Sequence, residues 1–247
     1  MNSVVTLTIE RGIAIVQMVE RDSHNTFSHA LIRDLIKTFD FINAHQEVKV
    51  VVIHGHDNYF CCGGTQEELL NLQTGTMNFA DLGFYRLLLD CKVPTIAAMQ
   101  GHAIGGGLAF GCFADLIILA EECIYSTNFM KYGFTPGMGA TYIIPYKFGQ
   151  NIGQELLYTA NTYHGITLRE KCAPVTIVKK SQVIITALTL AEQLADKPSH
   201  SLKILKRHLT QEICLKLPSI IEQEIAMHSE TFNLPDVKHR IEQLFGT

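Results

Sequence analysis

Three consecutive glycines constrain this chain more than any other feature of its sequence. The segment GHAIGGGLAFGCFADLIIL begins at Gly101 and places glycines 105–107 between an apolar run and residues 108–113, which could open a helix. Glycine lacks a Cβ, so such a turn lets a ligand approach the main chain, and the first N–H groups of a helix attract negative oxygen. From these glycines alone, a tight turn or close packing of helix on strand is the better interpretation.

A second glycine pair follows another strand pattern. Residues 50–53 predict a strand that leads into Gly63 and Gly64, and residues 66–72 predict the helix that comes next. Two such turns could each present one N–H group to the same oxygen, which would form an oxyanion hole from the backbone. A nucleotide site fits less well, because the triple-glycine segment has no G-x-G-x-x-G and the chain has no G-x-x-x-x-G-K-[ST].

The order of strand and helix patterns predicts an α/β core with a helical appendage. Short apolar runs predict strands at residues 4–9, 13–19, 48–53, 95–99 and 116–119, and helical periodicity marks residues 30–44 and 79–89. After Tyr125 the pattern is mainly helical, at residues 140–148, 152–160, 183–195, 202–215 and 217–232. No internal repeat or low-complexity linker separates these regions, so we expect one compact body.

Charge and hydropathy exclude several classes of partner. The formal net charge is -4 and the longest basic run is Lys179-Lys180, so nothing predicts contact with nucleic acid. The N-terminal region meets Glu10 and Arg11 before an apolar run reaches the length of a signal peptide, and no later run approaches the roughly 18 residues of a membrane span. We therefore expect a cytoplasmic protein that binds neither nucleic acid nor membrane.

The cysteine pattern predicts neither a disulfide framework nor a metal site. The chain has seven cysteines, an odd number, and no C-x-x-C pair, so we expect reduced and mostly buried thiols. His54 and His56 lie close in sequence to Cys61 and Cys62, but their spacing does not match an ordinary ligand set. We expect no bound metal.

Three segments resemble a known superfamily. The segments NYFCCGGTQE, PTIAAMQGHAIGGGLAFGCFADLIIL and KYGFTPGMGATYIIPYKFG are similar to the crotonase (enoyl-CoA hydratase/isomerase) superfamily, a resemblance that covers essentially the whole chain. GGTQE, NFMKYGFTPGMGAT and IEQEIAMHSETF resemble, more narrowly, the PksI-like decarboxylases of polyketide β-branching. The resemblance implies a ClpP/crotonase-like ββα spiral core, taken as residues 1–190, and a helical C-terminal trimerisation region, taken as residues 191–247. It assigns the oxyanion-hole N–H groups to Gly64 and Gly106.

The chain departs from the hydratases of that superfamily at both acid-base positions. The resemblance implies that two glutamates of the hydratases match Ala109 and Phe129. A general acid or base contributes about 10²- to 10⁴-fold each, so hydration through this pair is not expected. An apolar pocket at these positions instead suits a substrate that carries its own carboxylate and loses it as CO2.

His228 is the candidate protic side chain. It lies on the apolar face predicted for the helix over residues 217–232. A core histidine is the better interpretation of that position by itself. The related decarboxylases carry a functional histidine at the matching position, so the resemblance implies that His228 engages the carboxylate or delivers a proton.

A lysine of the related decarboxylases has no counterpart here. The matching position is Asn78, and Arg86 is the only basic residue between Thr65 and Cys91. Three interpretations stay open. Asn78 holds the substrate carboxylate more weakly, another residue replaces it, or the enzyme is slow or altered in regiochemistry. An exposed helix start is an equally good interpretation of Asn78.

The resemblance implies a specific reaction and partner. The expected activity is decarboxylation of 3-methylglutaconyl-acyl carrier protein to a β-methyl-branched enoyl thioester, with no cofactor beyond the phosphopantetheine that carries the substrate. The expected partner is an acyl carrier protein of a polyketide synthase, and the expected assembly is a homotrimer or a dimer of trimers. Two alternatives stay open: an enoyl-thioester isomerase using His228 or Glu67, and a non-catalytic homologue that binds the carrier protein.

Overall fold

The computed structural model describes residues 3–73 and 83–245, and ten strands and ten α-helices lie within them. The strands are β1 (Val5–Glu10), β2 (Ile13–Met18), β3 (Val50–His54), β4 (Tyr59–Cys61), β5 (Thr95–Met99), β6 (His102–Ile104), β7 (Leu116–Ala120), β8 (Ile124–Ser126), β9 (Thr162–His164) and β10 (Thr176–Val178). The helices are α1 (His29–Ala44), α2 (Gln66–Gln73), α3 (Leu87–Asp90), α4 (Gly106–Cys112), α5 (Ala140–Phe148), α6 (Gln150–Thr159), α7 (Gly165–Glu170), α8 (Lys180–Ala195), α9 (Ser199–Thr231) and α10 (Pro235–Leu244).

The larger sheet has six strands in the order β1-β2-β3-β5-β7-β10. The pair β1-β2 is antiparallel, and the four pairs that follow it are parallel. All five residues of β5 are buried, as are four of the five in β3, which explains why both strands read as continuous apolar runs. The helix α8 packs against β3, β5 and β7. This sheet confirms the α/β core expected from the sequence.

The smaller sheet positions the two glycine segments. It has the order β4-β6-β8-β9, with β4, β6 and β8 mutually parallel and β9 antiparallel to β8. Cys61 of β4 lies opposite Ala103 of β6, so the two strands end side by side. The turns that follow them, at Gly63 and Gly105, therefore leave the sheet at the same edge.

The C-terminal region is helical, as expected, but its main helix is longer than predicted. The sequence predicted two helices at residues 202–215 and 217–232, whereas α9 is one helix of 33 residues that contains Pro218. The two-helix prediction is wrong because contacts on both sides of the proline hold α9. Lys206 donates to the Leu88 carbonyl at 2.9 Å, and Glu224 accepts from the Gly139 N–H at 2.6 Å.

Other predicted elements need smaller corrections. Of the helix predicted at residues 79–89, the described part is a 3-10 turn, Gly83–Arg86, followed by the short α3, and residues 79–82 lie outside the described ranges. The strands β4, β6, β8, β9 and β10 were missed because three residues are too few for alternation to show. The division at residue 190 stays a prediction, and α8 runs across that position.

The structure shows the oxidation state and the burial of the cysteines. All seven cysteines are free, and those at positions 61, 91, 112 and 123 are buried. Burial raises the pKa of the Cys112 thiol to about 12, so this thiol is protonated at neutral pH.

Within residues 3–73 and 83–245, no helix has both the length and the apolar character needed to cross a membrane.

The close approach of α4 to β4 depends on one glycine. A Cβ added to Gly107 would lie 2.1 Å from the carbonyl oxygen of Cys61 and 2.9 Å from its Sγ. Because the first contact is with backbone, no rotamer change can relieve it. A Cβ at the exposed Gly83 would meet nothing within 4 Å.

We expect Gly107→Ala to lower the free energy of unfolding by at least about 3 kcal/mol, because the added methyl forces α4 away from β4. Urea denaturation followed by circular dichroism measures this change. Gly83→Ala is the matched control, and it should stay within about 0.5 kcal/mol of the wild type. Equal stability of the two variants would show that α4 does not need this close approach.

Candidate active site

The two glycine turns are in direct backbone contact. Gly63 and Gly105 have φ angles of 77° and 56°, a left-handed conformation that favours glycine. A Cβ added to Gly63 would lie 2.8 Å from the carbonyl oxygen of Ile104 and 3.1 Å from the nitrogen of Gly106. The turn after β4 therefore packs against the turn after β6, and only a residue without a side chain fits at Gly63.

The residue after each left-handed glycine carries a backbone donor that other protein groups leave unused. Across the described ranges, neither the Gly64 N–H nor the Gly106 N–H donates to a protein acceptor, whereas the Gly105 N–H donates to the Ser126 carbonyl at 2.7 Å. Gly106 also begins α4, where the helix dipole favours negative charge. This arrangement can bind one oxygen from two directions, although the assignment of Gly64 and Gly106 as that pair stays a prediction.

A pocket of about 500 Å³ opens over the two turns. Gly64, Gly106 and the buried Phe129 contribute to its wall. Ala109 is fully buried in α4, one turn after Gly106. The wall is not wholly without carboxylates, because it includes Asp22, whose side chain is exposed. The expectation of a carboxylate-free pocket therefore holds at Phe129 but not at Asp22.

His228 is a buried and neutral imidazole. It lies on α9 with 7% of its surface exposed, and its Nδ1 donates to the carbonyl oxygen of Glu224 at 2.9 Å. Because Nδ1 carries the proton in this bond, Nε2 is the basic nitrogen of the neutral ring. Burial lowers the pKa of the His228 imidazole below its usual value. His228 can therefore gain a second proton, at Nε2, when an anion approaches, but the ring carries only the Nδ1 proton at neutral pH.

Met138 lies between His228 and the glycine turns. His228 lines a second cavity of about 10 Å³ together with Tyr85, Met138 and Glu224. The same methionine places its Sδ 2.8 Å from a Cβ built on Gly106. Within the described ranges, the structure thus brings Gly64 and Gly106 into one pocket and places His228 behind Met138, in a neighbouring cavity.

Two residues of this region were missed from the sequence. Met138 has a left-handed φ of 61°, which is uncommon for a residue with a side chain. Glu224 is 2% exposed, whereas the apolar side chain next to it, Ile225, is 40% exposed. Steps of three and four residues back from His228 lead through Glu224 to the buried Leu217, so the spacing contained the signal. Because glutamate is charged, apolar periodicity does not predict that Glu224 is buried.

The remaining candidates from the sequence are Asn78, Glu67, Arg86 and a metal site. Asn78 lies outside the described residues, so its role stays a prediction. Glu67 is exposed at the start of α2, and Arg86 pairs with Asp90 at 2.9 Å. Within the described ranges, no group of three or more His, Cys, Asp or Glu side chains is arranged to hold a metal ion.

Comparisons with known proteins extend over almost the whole chain. A family model described as Enoyl-CoA hydratase/isomerase matches residues 8–245. Bacillaene synthase decarboxylase PksI of Bacillus subtilis (strain 168) is 48% identical over 246 residues, which cover 99% of this chain and 99% of the relative. The ECH2 decarboxylase domain of CurF from Lyngbya majuscula has a TM-score of 0.95 at 39% identity, with 99% of this chain and 100% of that domain covered.

A third match concerns the reaction. A structure solved in a study of a dehydratase/decarboxylase enzyme couple involved in polyketide beta-branching has a TM-score of 0.98 at 48% identity, and it covers 99% of this chain and 100% of that one. Full-length identity at this level confirms the crotonase fold and the resemblance to the β-branching decarboxylases. The chain belongs to the enoyl-CoA hydratase/isomerase (crotonase) family, in which it is a PksI-like decarboxylase.

Proposed function

We propose that this enzyme removes CO2 from 3-methylglutaconyl carried on an acyl carrier protein, and that the product is a β-methyl-branched enoyl thioester. The observation that carries the proposal is the pair of backbone N–H groups at Gly64 and Gly106, which line one pocket, lie on two turns in contact through Gly63, and donate to no protein acceptor in the described ranges. The matches to decarboxylases of polyketide β-branching support the substrate class.

The two N–H groups act on the charge that CO2 leaves behind. When the bond to the remote carboxylate breaks, its electron pair moves through the conjugated system to the thioester oxygen and forms a dienolate. Gly64 and Gly106 stabilise that oxygen, and removing one donor of this kind costs about 2.7–4 kcal/mol of transition-state stabilisation. Phe129 in the pocket wall and Ala109 buried behind Gly106 place no carboxylate at the two hydratase acid-base positions, so these positions add no negative charge to that of Asp22.

His228 supplies the proton that completes the reaction. The incoming carboxylate raises the pKa of the neutral imidazole, so that Nε2 takes a proton from solvent as the substrate binds. After CO2 leaves, the dienolate takes this proton at carbon and the imidazole becomes neutral again. One proton is consumed for each CO2 released. For Nε2 to reach the substrate, the side chain of Met138 moves aside.

The partners follow from the substrate. Phosphopantetheine belongs to the carrier protein of a polyketide synthase, and the enzyme needs no other cofactor. We also propose a cytoplasmic location and a homotrimer or dimer of trimers. The exposed apolar side chains of α9, Leu205, Leu209 and Leu215 with 53%, 63% and 73% of their surface accessible, support burial in an assembly. Asn78 is proposed to contact the substrate carboxylate in place of the family lysine.

We expect Gly106→Val to lower the decarboxylation rate by about 10²-fold or more, because its side chain enters the space above the hole. A Cβ there would meet Met138 Sδ at 2.8 Å and Phe27 Cε2 at 3.0 Å, both side-chain atoms, so the fold should survive. Loss of carbon dioxide from the carrier-bound substrate is followed by mass spectrometry. Gly83→Val, in open space, is the control. A folded Gly106→Val enzyme with full turnover would remove Gly106 from the mechanism.

We expect His228→Ala to lower kcat by about 10²-fold, as for a lost acid-base group. Because the lowered imidazole pKa means that substrate binding takes up a proton, the wild-type KM should rise with pH once pH exceeds that lowered pKa, which lies below the usual histidine value. The variant should lose this dependence. Steady-state kinetics between pH 5.5 and 8.5, roughly the range over which histidine titrates, provide the measurement. A pH-independent wild-type KM, or a variant that retains full kcat, would contradict the role of His228.

A further inference from the structure

A buried carboxylate joins α9 to the turn that precedes α5. Glu224 accepts hydrogen bonds from the N–H of Gly139 at 2.6 Å, from the N–H of Thr141 at 2.9 Å and from the hydroxyl of Thr141 at 2.6 Å. All three groups donate, so the side chain acts only as an acceptor. Gly139 caps α5 without a side chain of its own, and a residue from another helix thus satisfies the N-terminus of α5.

The segment from Gly137 to Thr141 is held by α9 at two points. One point is the Glu224 carboxylate. The other is the His228 ring, because a Cβ added to Gly137 would lie 2.7 Å from its Cε1 atom. The two residues are one helical turn apart, and the Nδ1 of His228 donates to the carbonyl of Glu224 at 2.9 Å. The distance between these points is therefore set by the helix itself.

Met138 lies between the two points of attachment and faces the oxyanion turn. Its left-handed φ of 61° is a conformation that surrounding contacts must maintain, since strain of this kind costs about 1–3 kcal/mol. Its Sδ approaches Gly106, with 2.8 Å to a Cβ built there. The position of Met138 relative to the hole thus depends on how the next residue, Gly139, is held.

We propose that Glu224 is a positioning residue: by holding Gly139 and Thr141 it fixes the main chain of Met138 beside Gly106, so that the Met138 side chain can turn aside without moving the turn, and it sets the separation between His228 and the oxyanion turn. This inference rests on the proposed decarboxylation through Gly106 and His228. Glu224 is not among the described residues that line the pocket over the glycine turns, and it acts through Met138 and the turn.

A purely structural role would give a different result. A carboxylate that only stabilised the fold would, when replaced, lower the unfolding temperature and leave the folded enzyme fully active. A carboxylate that positions the turn also changes kcat, because a displacement of about 1 Å of groups near the reacting atoms can cost about 10²-fold in rate. Asp34, a buried carboxylate that accepts from the Val4 N–H at 3.0 Å, provides the comparison outside the site.

The test compares Glu224→Gln with Asp34→Asn and Thr141→Val at a temperature where all are folded. In Glu224→Gln the amide NH2 faces a backbone donor, so we expect kcat to fall by about 10²-fold with KM changed by less than about threefold. Asp34→Asn should lose thermal stability and keep kcat. Thr141→Val removes only the hydroxyl donor and should lower kcat by less than about threefold. Crystal structures of the wild type and Glu224→Gln then show whether Met138 has moved.

Each outcome decides a separate claim. A shifted Met138 with reduced kcat supports the positioning role. Full kcat in Glu224→Gln, or a loss of kcat with Met138 unmoved, overturns it. A wild-type enzyme that releases no CO2 would refute the proposed function instead, and the two crystal structures would still decide whether Glu224 holds the turn.

Discussion

The contact between two backbone turns is the constraint on which the rest of this structure depends. The parallel strands β4 and β6 end side by side, and the left-handed Gly63 packs against Ile104 and Gly106 with no room for a Cβ. Gly107 meets the end of β4 in the same way. The absence of side chains at these glycines allows Gly64 and Gly106 to line the same pocket, beside the start of α4. A pocket formed around them can stabilise a developing oxyanion without any catalytic side chain in the hole.

The helix α9 carries the candidate proton donor, which the backbone turns do not provide. It brings a neutral, buried His228 behind Met138, and one turn earlier it holds the N-terminus of α5 through Glu224. Burial raises the pKa of the Glu224 carboxyl and lowers that of the His228 imidazole, so both groups are costly to charge there. In the proposed mechanism a substrate carboxylate changes this balance, because it stabilises a protonated His228 until CO2 departs. On this proposal the enzyme uses the charge of its substrate to obtain a proton.

Sequence reasoning predicted the elements with a regular apolar pattern and the turns marked by glycine. The apolar runs of β3 and β5, the helix at residues 140–148 and the two glycine turns were all predicted, because burial on both faces and glycine at a left-handed φ leave direct marks in a sequence. Contacts between distant segments leave no such mark. The periodicity predicted a break between residues 215 and 217 that packing overrides, and the pairing of Glu224 with Gly139, 85 residues apart, could be found only in three dimensions.

Intact-protein mass spectrometry of a 3-methylglutaconyl-loaded carrier protein, incubated with the enzyme in D2O, tests the central claim most directly. The account predicts that the carrier loses the mass of one CO2 and that the product gains one solvent-derived deuteron at carbon, since the dienolate is protonated after the bond breaks. The deuteron shows that a carbon of the acyl group was protonated from solvent after CO2 left, as a dienolate intermediate requires, and it excludes simple hydrolysis of the acyl group from the carrier. An acyl group of unchanged mass, with or without a shifted double bond, would contradict decarboxylation by this pocket.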